Sequence, residues 1–116
     1  MTPHLLNQGM QKFSHLLIIL FFAFPLSCFC QHSETDSLLK VISQLKDDTI
    51  KANNLIALSK SYFNSDPAEA LKYSVEAYQL AEKLEFQRGS AYALKNIGIV
   101  YYMQGNYPEA IENWKK

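Results

Sequence analysis

From Asp36 onward the apolar residues recur at three- and four-residue intervals and nowhere alternate, so the chain reads as a succession of helices without strands. Leu38, Leu39, Ile42 and Leu45 form the first stripe, with Asp36 placed as its N-cap. Asp47 and Asp48 interrupt that stripe and are positioned to cap the next helix, with Thr49 as the competing cap. This second helix, about 50–63, aligns Leu55, Leu58 and Tyr62, and Asn64, Ser65 and Asp66 end it. Asp66-Pro67-Ala68-Glu69 is the sharpest local signal. It offers an acceptor for the free first-turn N–H groups, a proline where no N–H partner is needed, and an acid at the capping-box position. The helix that follows, to about residue 85, carries Ala70, Leu71, Ala77, Leu80, Ala81 and Leu84 on its apolar face. Phe86-Gln87-Arg88-Gly89 is expected as a loop, and a third long helix covers about 90–103. Gly105 and Asn106 close it before Asn106-Tyr107-Pro108-Glu109 opens another helix in the style of the first. The expected architecture is two helical hairpins preceded by one lone helix.

The two hairpins repeat each other. Leu55, Leu58, Ser59, Tyr62 and Phe63 return as Leu94, Ile97, Gly98, Tyr101 and Tyr102, a shift of 39. Asp66, Glu69, Ala70 and Leu71 return as Asn106, Glu109, Ala110 and Ile111, a shift of 40. The extra residue falls in the turn. A fixed period of this size marks stacked helical units and so an all-α fold, an α-solenoid of helical hairpins.

Composition narrows what such a stack can do. The 11 basic and 11 acidic residues cancel and form no basic stripe, so nucleic acid is not an expected partner. All 3 histidines (His4, His15, His32) and both cysteines (Cys28, Cys30) precede residue 33. From Ser33 onward, nucleophilic catalysis that needs a histidine or cysteine is excluded, as are His-containing zinc sites. No enzyme activity, cofactor or metal is expected.

The first thirty residues stand apart from this pattern. MTPHLLNQGMQKFSH carries one fixed charge, Lys12, and residues 16–24 are an unbroken apolar run, followed by Pro25 and LSCFC. That order describes a secretory signal peptide cut to leave Gln31 as the new N-terminus. Competing readings are a retained anchor and a lipoprotein acylated at Cys28, although Pro25-Leu26-Ser27 makes a poor lipobox. A spanning helix needs about 20 apolar residues, and residues 16–30 supply 15 with a proline among them. The expected division is 1–30 signal peptide, 31–48 N-terminal helix, 49–88 first repeat and 89–116 second repeat, incomplete at its C-terminus. The localisation that follows is exported, periplasmic or extracytoplasmic, with membrane contact only through the signal peptide or a segment beyond residue 116.

Leu94, Ile97, Gly98, Tyr101, Gly105, Tyr107, Ala110, Ile111 and Trp114, in that spacing, resemble the tetratricopeptide repeat. Gly98 and Ala110 are small where the two helices of a hairpin cross, while Tyr101 and Trp114 fill the wedge around the crossing. The first repeat is degenerate: Ser59 stands for the glycine, Pro67 for the aromatic and Ser74 for the large residue at the Trp114 position. Ala70 matches Ala110. Repeats of this kind need about three units to bury a continuous core, so two units with a short last helix are expected to be a fragment of marginal stability. SDPAEALKYS, LAEKLEFQRG and ALKNIGIVYY further resemble the extracytoplasmic repeat arrays of Bacteroidetes-type signalling proteins, in which a sensor histidine kinase or DNA-binding output follows the repeats.

The resemblance implies a protein or peptide ligand, or further repeats of the same array, as partner. It also implies that the first helix of each hairpin lines a concave binding face. On that face it places Tyr92, Lys95, Asn96, Ile99, Tyr102 and Met103, and from the weaker repeat Asn53, Ile56, Lys60, Phe63 and Asn64. Asn96 is the expected contact to an extended peptide backbone, since an amide both donates and accepts. Ala57 at the matching place in the first repeat argues against a clamp on a C-terminal carboxylate.

Overall fold

Helices account for nearly all of residues 30–116, which are the residues described by the computed structural model. They are α1 Cys30–Gln44, α2 Thr49–Ser61, α3 Pro67–Lys83, α4 Gln87–Met103 and α5 Tyr107–Lys115, with no strand among the described residues. The helices α2 and α3 form one antiparallel hairpin, α4 and α5 the next; α3 packs on α4, and α4 also touches α2. This is an all-α solenoid of helical hairpins. Glu34–Lys116 make up one compact unit. The signal-peptide reading falls on residues outside the described ones.

The core follows from the apolar stripes. Ile42, Ala52, Leu55, Ile56, Leu58, Ala77, Leu80 and Ala93 form one buried cluster, with Leu38, Leu39, Tyr62, Tyr73, Leu84 and Phe86 packed against it. Each fully covered leucine among these contributes about 1.5–3 kcal/mol of transfer free energy. The cluster lies around the degenerate hairpin, with α1 as its outer wall.

Two helix ends are built alike from different residues. At the end of α3 the Phe86 N–H reaches the Ala81 carbonyl (2.8 Å) and the Glu85 N–H that of Glu82 (3.1 Å). At the end of α4 the Asn106 N–H reaches Tyr101 (2.9 Å) and the Gly105 N–H reaches Tyr102 (3.0 Å). Both are Schellman closures, which need a left-handed residue at the pivot. Gly105 supplies it with φ 77°, within the second hairpin, whereas at the connection between the hairpins Glu85 does so with φ 54°.

Several expectations change here. The first helix begins at Cys30, not at Asp36: the intervening residues hold no glycine or proline to stop it. Gln87, Arg88 and Gly89 are the first turn of α4 rather than a loop, and Gly89 is buried under the Phe86 ring, where a Cβ would collide. Asp48, not Thr49, caps α2, accepting from the Lys51 N–H at 3.0 Å. Asp66 caps α3 through the Ala68 and Glu69 N–H groups, both 3.1 Å. The reciprocal half of that capping box is not made, because Glu69 pairs with Lys72 and the Asp66 N–H is taken by Tyr62. Asn106 makes no side-chain cap bond, so α5 starts unlike α3.

Candidate functional site

The faces of α2 and α4 that were expected to bind divide into a buried and an exposed set. Asn96 is fully buried. Its Nδ2 donates to the Ser59 Oγ at 2.7 Å and the Ile56 carbonyl at 3.2 Å, while the Ser59 hydroxyl donates to the same carbonyl at 2.9 Å. Its Oδ1 is buried with no partner. Ile56 is 6% exposed. The expectation that Asn96 and Ile56 meet a ligand therefore gives way: both lie between the hairpins, and the Asn96 amide ties α4 to α2. A helical wheel shows which residues share a face, but not which neighbouring helix covers it.

The exposed set consists of Asn53 and Lys60 on α2 and Tyr92, Lys95, Tyr102 and Met103 on α4, with Ile99 and Phe63 half-buried and Asn64 in the exposed turn after α2. The Tyr92 ring is flanked by the Arg88 guanidinium at 5.8 Å and the Lys95 ammonium at 5.4 Å, a cation–aromatic row along one helix face. Arg88 was not among the expected residues, although its four-residue spacing from Tyr92 could have marked it. Tyr102 is 55% exposed and leans on its own hairpin, with the Tyr107 ring at 5.4 Å and the Trp114 ring at 6.1 Å.

The signature positions are largely inside. Leu94, Ile97, Gly98, Ala110 and Ala70 are buried and Tyr101 is half-buried. A Cβ on Gly98 would fall within the Trp114 indole, so this glycine exists to admit that ring. The indole Nε1–H donates to the Lys95 carbonyl at 3.2 Å, yet 47% of Trp114 remains exposed.

Asp47 and Tyr73, on or beside the first hairpin, are displaced from their ordinary pKa. The hydrogen bond and charge of Lys51, helped by Lys83, hold the Asp47 carboxyl below its usual value. Burial pushes the Tyr73 hydroxyl up. Among the described residues there is no cluster of His, Cys, Asp and Glu able to hold a metal, and no helix is long and apolar enough to cross a membrane.

Antiparallel helix pairs recurring every 39 to 40 residues define a helical-repeat protein, a class whose working part is its surface. A family model described as Tetratricopeptide repeat matches residues 48–115, which takes in both hairpins, and the chain belongs to that family. No curated protein and no solved structure matches it. Tetratricopeptide repeats generally mediate protein–protein interaction or scaffolding and are typically non-catalytic.

Proposed function

We propose that this chain is the exported, ligand-facing repeat module of a longer signalling protein, and that it holds an extended protein segment along α2 and α4. The observation that carries the binding half is the row of exposed side chains at matching positions of those helices: Asn53 with Tyr92, and Lys60 with the half-buried Ile99, followed by Tyr102 and Met103. An amide beside flat aromatic surface and basic side chains suits a segment that offers backbone groups, an apolar residue and a carboxylate. Binding would proceed by surface complementarity, with no bond made or broken.

Export rests on the charged start, apolar run, proline and small residues of 1–30. The division into a leader (1–30), a lone helix (31–48) and two repeats (49–88 and 89–116) belongs to the same proposal. The signalling role rests on the likeness of SDPAEALKYS and its companion phrases to extracytoplasmic sensor arrays. In that setting the module would be the input region of a sensor histidine kinase.

A photo-crosslinking residue placed at Tyr92 in living cells tests the binding half, with the same residue at Val75, exposed on α3, as control. Discrete adducts from Tyr92 that disappear with Lys60→Glu are expected. Identical adducts from both positions, or none from Tyr92, would remove the inner face as the binding site. Recovery of a protein beginning at Gln31 from the extracytoplasmic fraction tests export.

A further inference from the structure

The chain is neutral, but its charges are not evenly shared among the helices. None of its 11 acidic residues falls within α2 or α4, which carry Lys51, Lys60, Arg88 and Lys95. The helix α3 is mixed instead: Glu69, Glu76 and Glu82 stand among Lys72 and Lys83, and Lys72 closes on Glu69 at 3.1 Å. A face kept only for solubility is served by interspersed signs and has no reason to exclude one of them. Lys51 is paired with Asp47 at 2.8 Å, whereas Lys60, Arg88 and Lys95 form no ion pair among the described residues.

The repeat shows which of these cations belong to a face that stays open under stacking. On α2, Thr49, Asn53 and Lys60 are exposed although the second hairpin is stacked on the first. Their counterparts on α4 are Arg88, Tyr92 and Ile99, the first two exposed and the third half-buried. Steps of four and seven residues keep each set on one stripe of its helix. Lys95 is not counted, since its counterpart Ile56 is covered. The bonds from Asn96 to Ile56 and Ser59 hold α2 and α4 nearly in register. The stripes therefore make three rows: Thr49 with Arg88, Asn53 with Tyr92, and Lys60 with Ile99. The outer rows hold one cation each, on opposite helices, and the middle row holds an amide and an aromatic ring. Between the second and third rows stand Ala57 and the buried Asn96, so neither helix turns an amide there toward the end of a chain.

We infer that these rows take an acidic segment of a partner protein, an extended stretch in which two side-chain carboxylates flank an apolar residue. The inference rests on the inner-face binding proposed above and names the chemistry of its ligand. The rows also set the spacing. From Arg88 to Ile99 is about 16 Å along the helix axis, and α2 lies about 8–10 Å to the side. The diagonal from Arg88 to Lys60 is thus about 19 Å, which an extended chain covers in about six residues at about 3.3 Å each. Charge complementarity selects this occupant: a basic segment would meet two unpaired cations, and a terminal carboxylate would find no amide between the rows. In a neutral chain the attraction acts only within about a Debye length, roughly 10 Å, so the acidic segment is chosen at contact and not steered from afar.

The probe is a capped, dye-labelled peptide of about ten residues with two glutamates about six positions apart around a phenylalanine. Titrated with the full chain, its fluorescence anisotropy should rise saturably at one peptide per chain. Replacing both glutamates by glutamine should weaken binding by about tenfold, and added salt should weaken the acidic peptide alone. Arg88→Glu and Lys60→Glu, both at exposed positions, should each weaken it by about fivefold to tenfold with helicity unchanged. Lys40→Glu, exposed on α1, changes the net charge equally and should leave binding as it was. One of the two peptides with a single glutamate changed to lysine should bind Arg88→Glu more tightly than it binds the original chain, the mark of a direct pair. Equal affinity for the acidic and glutamine peptides would overturn the inference and leave inner-face binding standing. So would the failure of every peptide to bind while the crosslinker at Tyr92 still gives adducts; failure of both would remove the two readings together. Inorganic polyphosphate that displaces the peptide at equal charge would also overturn it, by reducing the rows to an unselective anion site.

Discussion

The two hairpins solve one packing problem in opposite ways. At the crossing of α2 and α3 stand Ser59 and Ser74, both fully buried, each turning its hydroxyl back onto a carbonyl of its own helix, Ile56 at 2.9 Å and Ala70 at 2.8 Å. At the crossing of α4 and α5 the same places hold Gly98 and Trp114, nothing against a large ring. The consequence shows one step further out. The Ile56 carbonyl receives the Asn96 amide of the following hairpin, while its counterpart, the Lys95 carbonyl, receives the indole of its own hairpin. The copy that departs from the repeat signature is the one buried on both sides. The copy that obeys it presents Tyr102, Met103, Tyr107, Ile111 and Trp114 to solvent. Fidelity to the signature reports how a hairpin closes on itself; burial reports what is stacked upon it.

The largest test of this difference is a charge at the matched alanines. Ala70→Glu buries an unpaired carboxylate in the doubly covered hairpin and should cost more than about 4 kcal/mol, unfolding the whole stack. Ala110→Glu should release α5 and leave α2 and α3 folded. Circular dichroism would separate the two, a complete loss of the helical signal against a partial one with Trp114 emission moved to that of free indole. Equal losses from both would mean that the hairpins are not distinct in their support.

Next in size is the amide between them. Asn96→Ala removes the amide donor that the Ile56 carbonyl and the Ser59 hydroxyl share, leaving these two only their bond to each other, and should cost about 1–3 kcal/mol in a denaturant melt. Ala57, its counterpart on α2, is exposed, and Ala57→Asn should be neutral. A smaller effect of the opposite sign belongs to the turns. Giving Glu85 the residue that serves at Gly105, Glu85→Gly, should raise stability by about 1 kcal/mol, since glycine adopts the left-handed pivot without a Cβ penalty. No gain would mean that the Glu85 turn is relieved in another way.

The smallest difference is in pH response. Tyr73 stacks on Tyr62 with ring centroids 5.7 Å apart, and the second hairpin has Asn113 at its place. Burial raises the Tyr73 pKa, so the fold holds the neutral phenol. Its contribution is whole below the ordinary value of 10.0 and is lost as pH rises through the raised one. Alkaline unfolding should therefore begin in the first hairpin and be delayed by Tyr73→Phe.

Much of this architecture was legible in the chain. The periods of the leucine and alanine stripes predicted every hairpin helix and the α3 cap at Asp66, and Gly98 announced a close crossing, because those signals are local and act within one or two turns. Gly89 was misread for the same reason: a glycine after a phenylalanine looks like a turn until the ring is seen lying on it. The exposed faces of α2 and α4 were legible only in part. Lys60, Tyr92 and Lys95 are exposed there, whereas Asn96 and Ile56 share those helix faces and are covered.

The sequence by itself determined the helical period, the repeat, the small residues at the crossings and the lack of histidine and cysteine after residue 33. Each of these is set by spacing and residue type along one strand of chain. Tertiary structure alone decided that Asn96 is an internal tie and that Glu85 takes the left-handed pivot. Those outcomes depend on which helix lies against which, and contacts between residues some 40 positions apart, as between Asn96 and Ile56, leave no mark in the pattern of either helix alone.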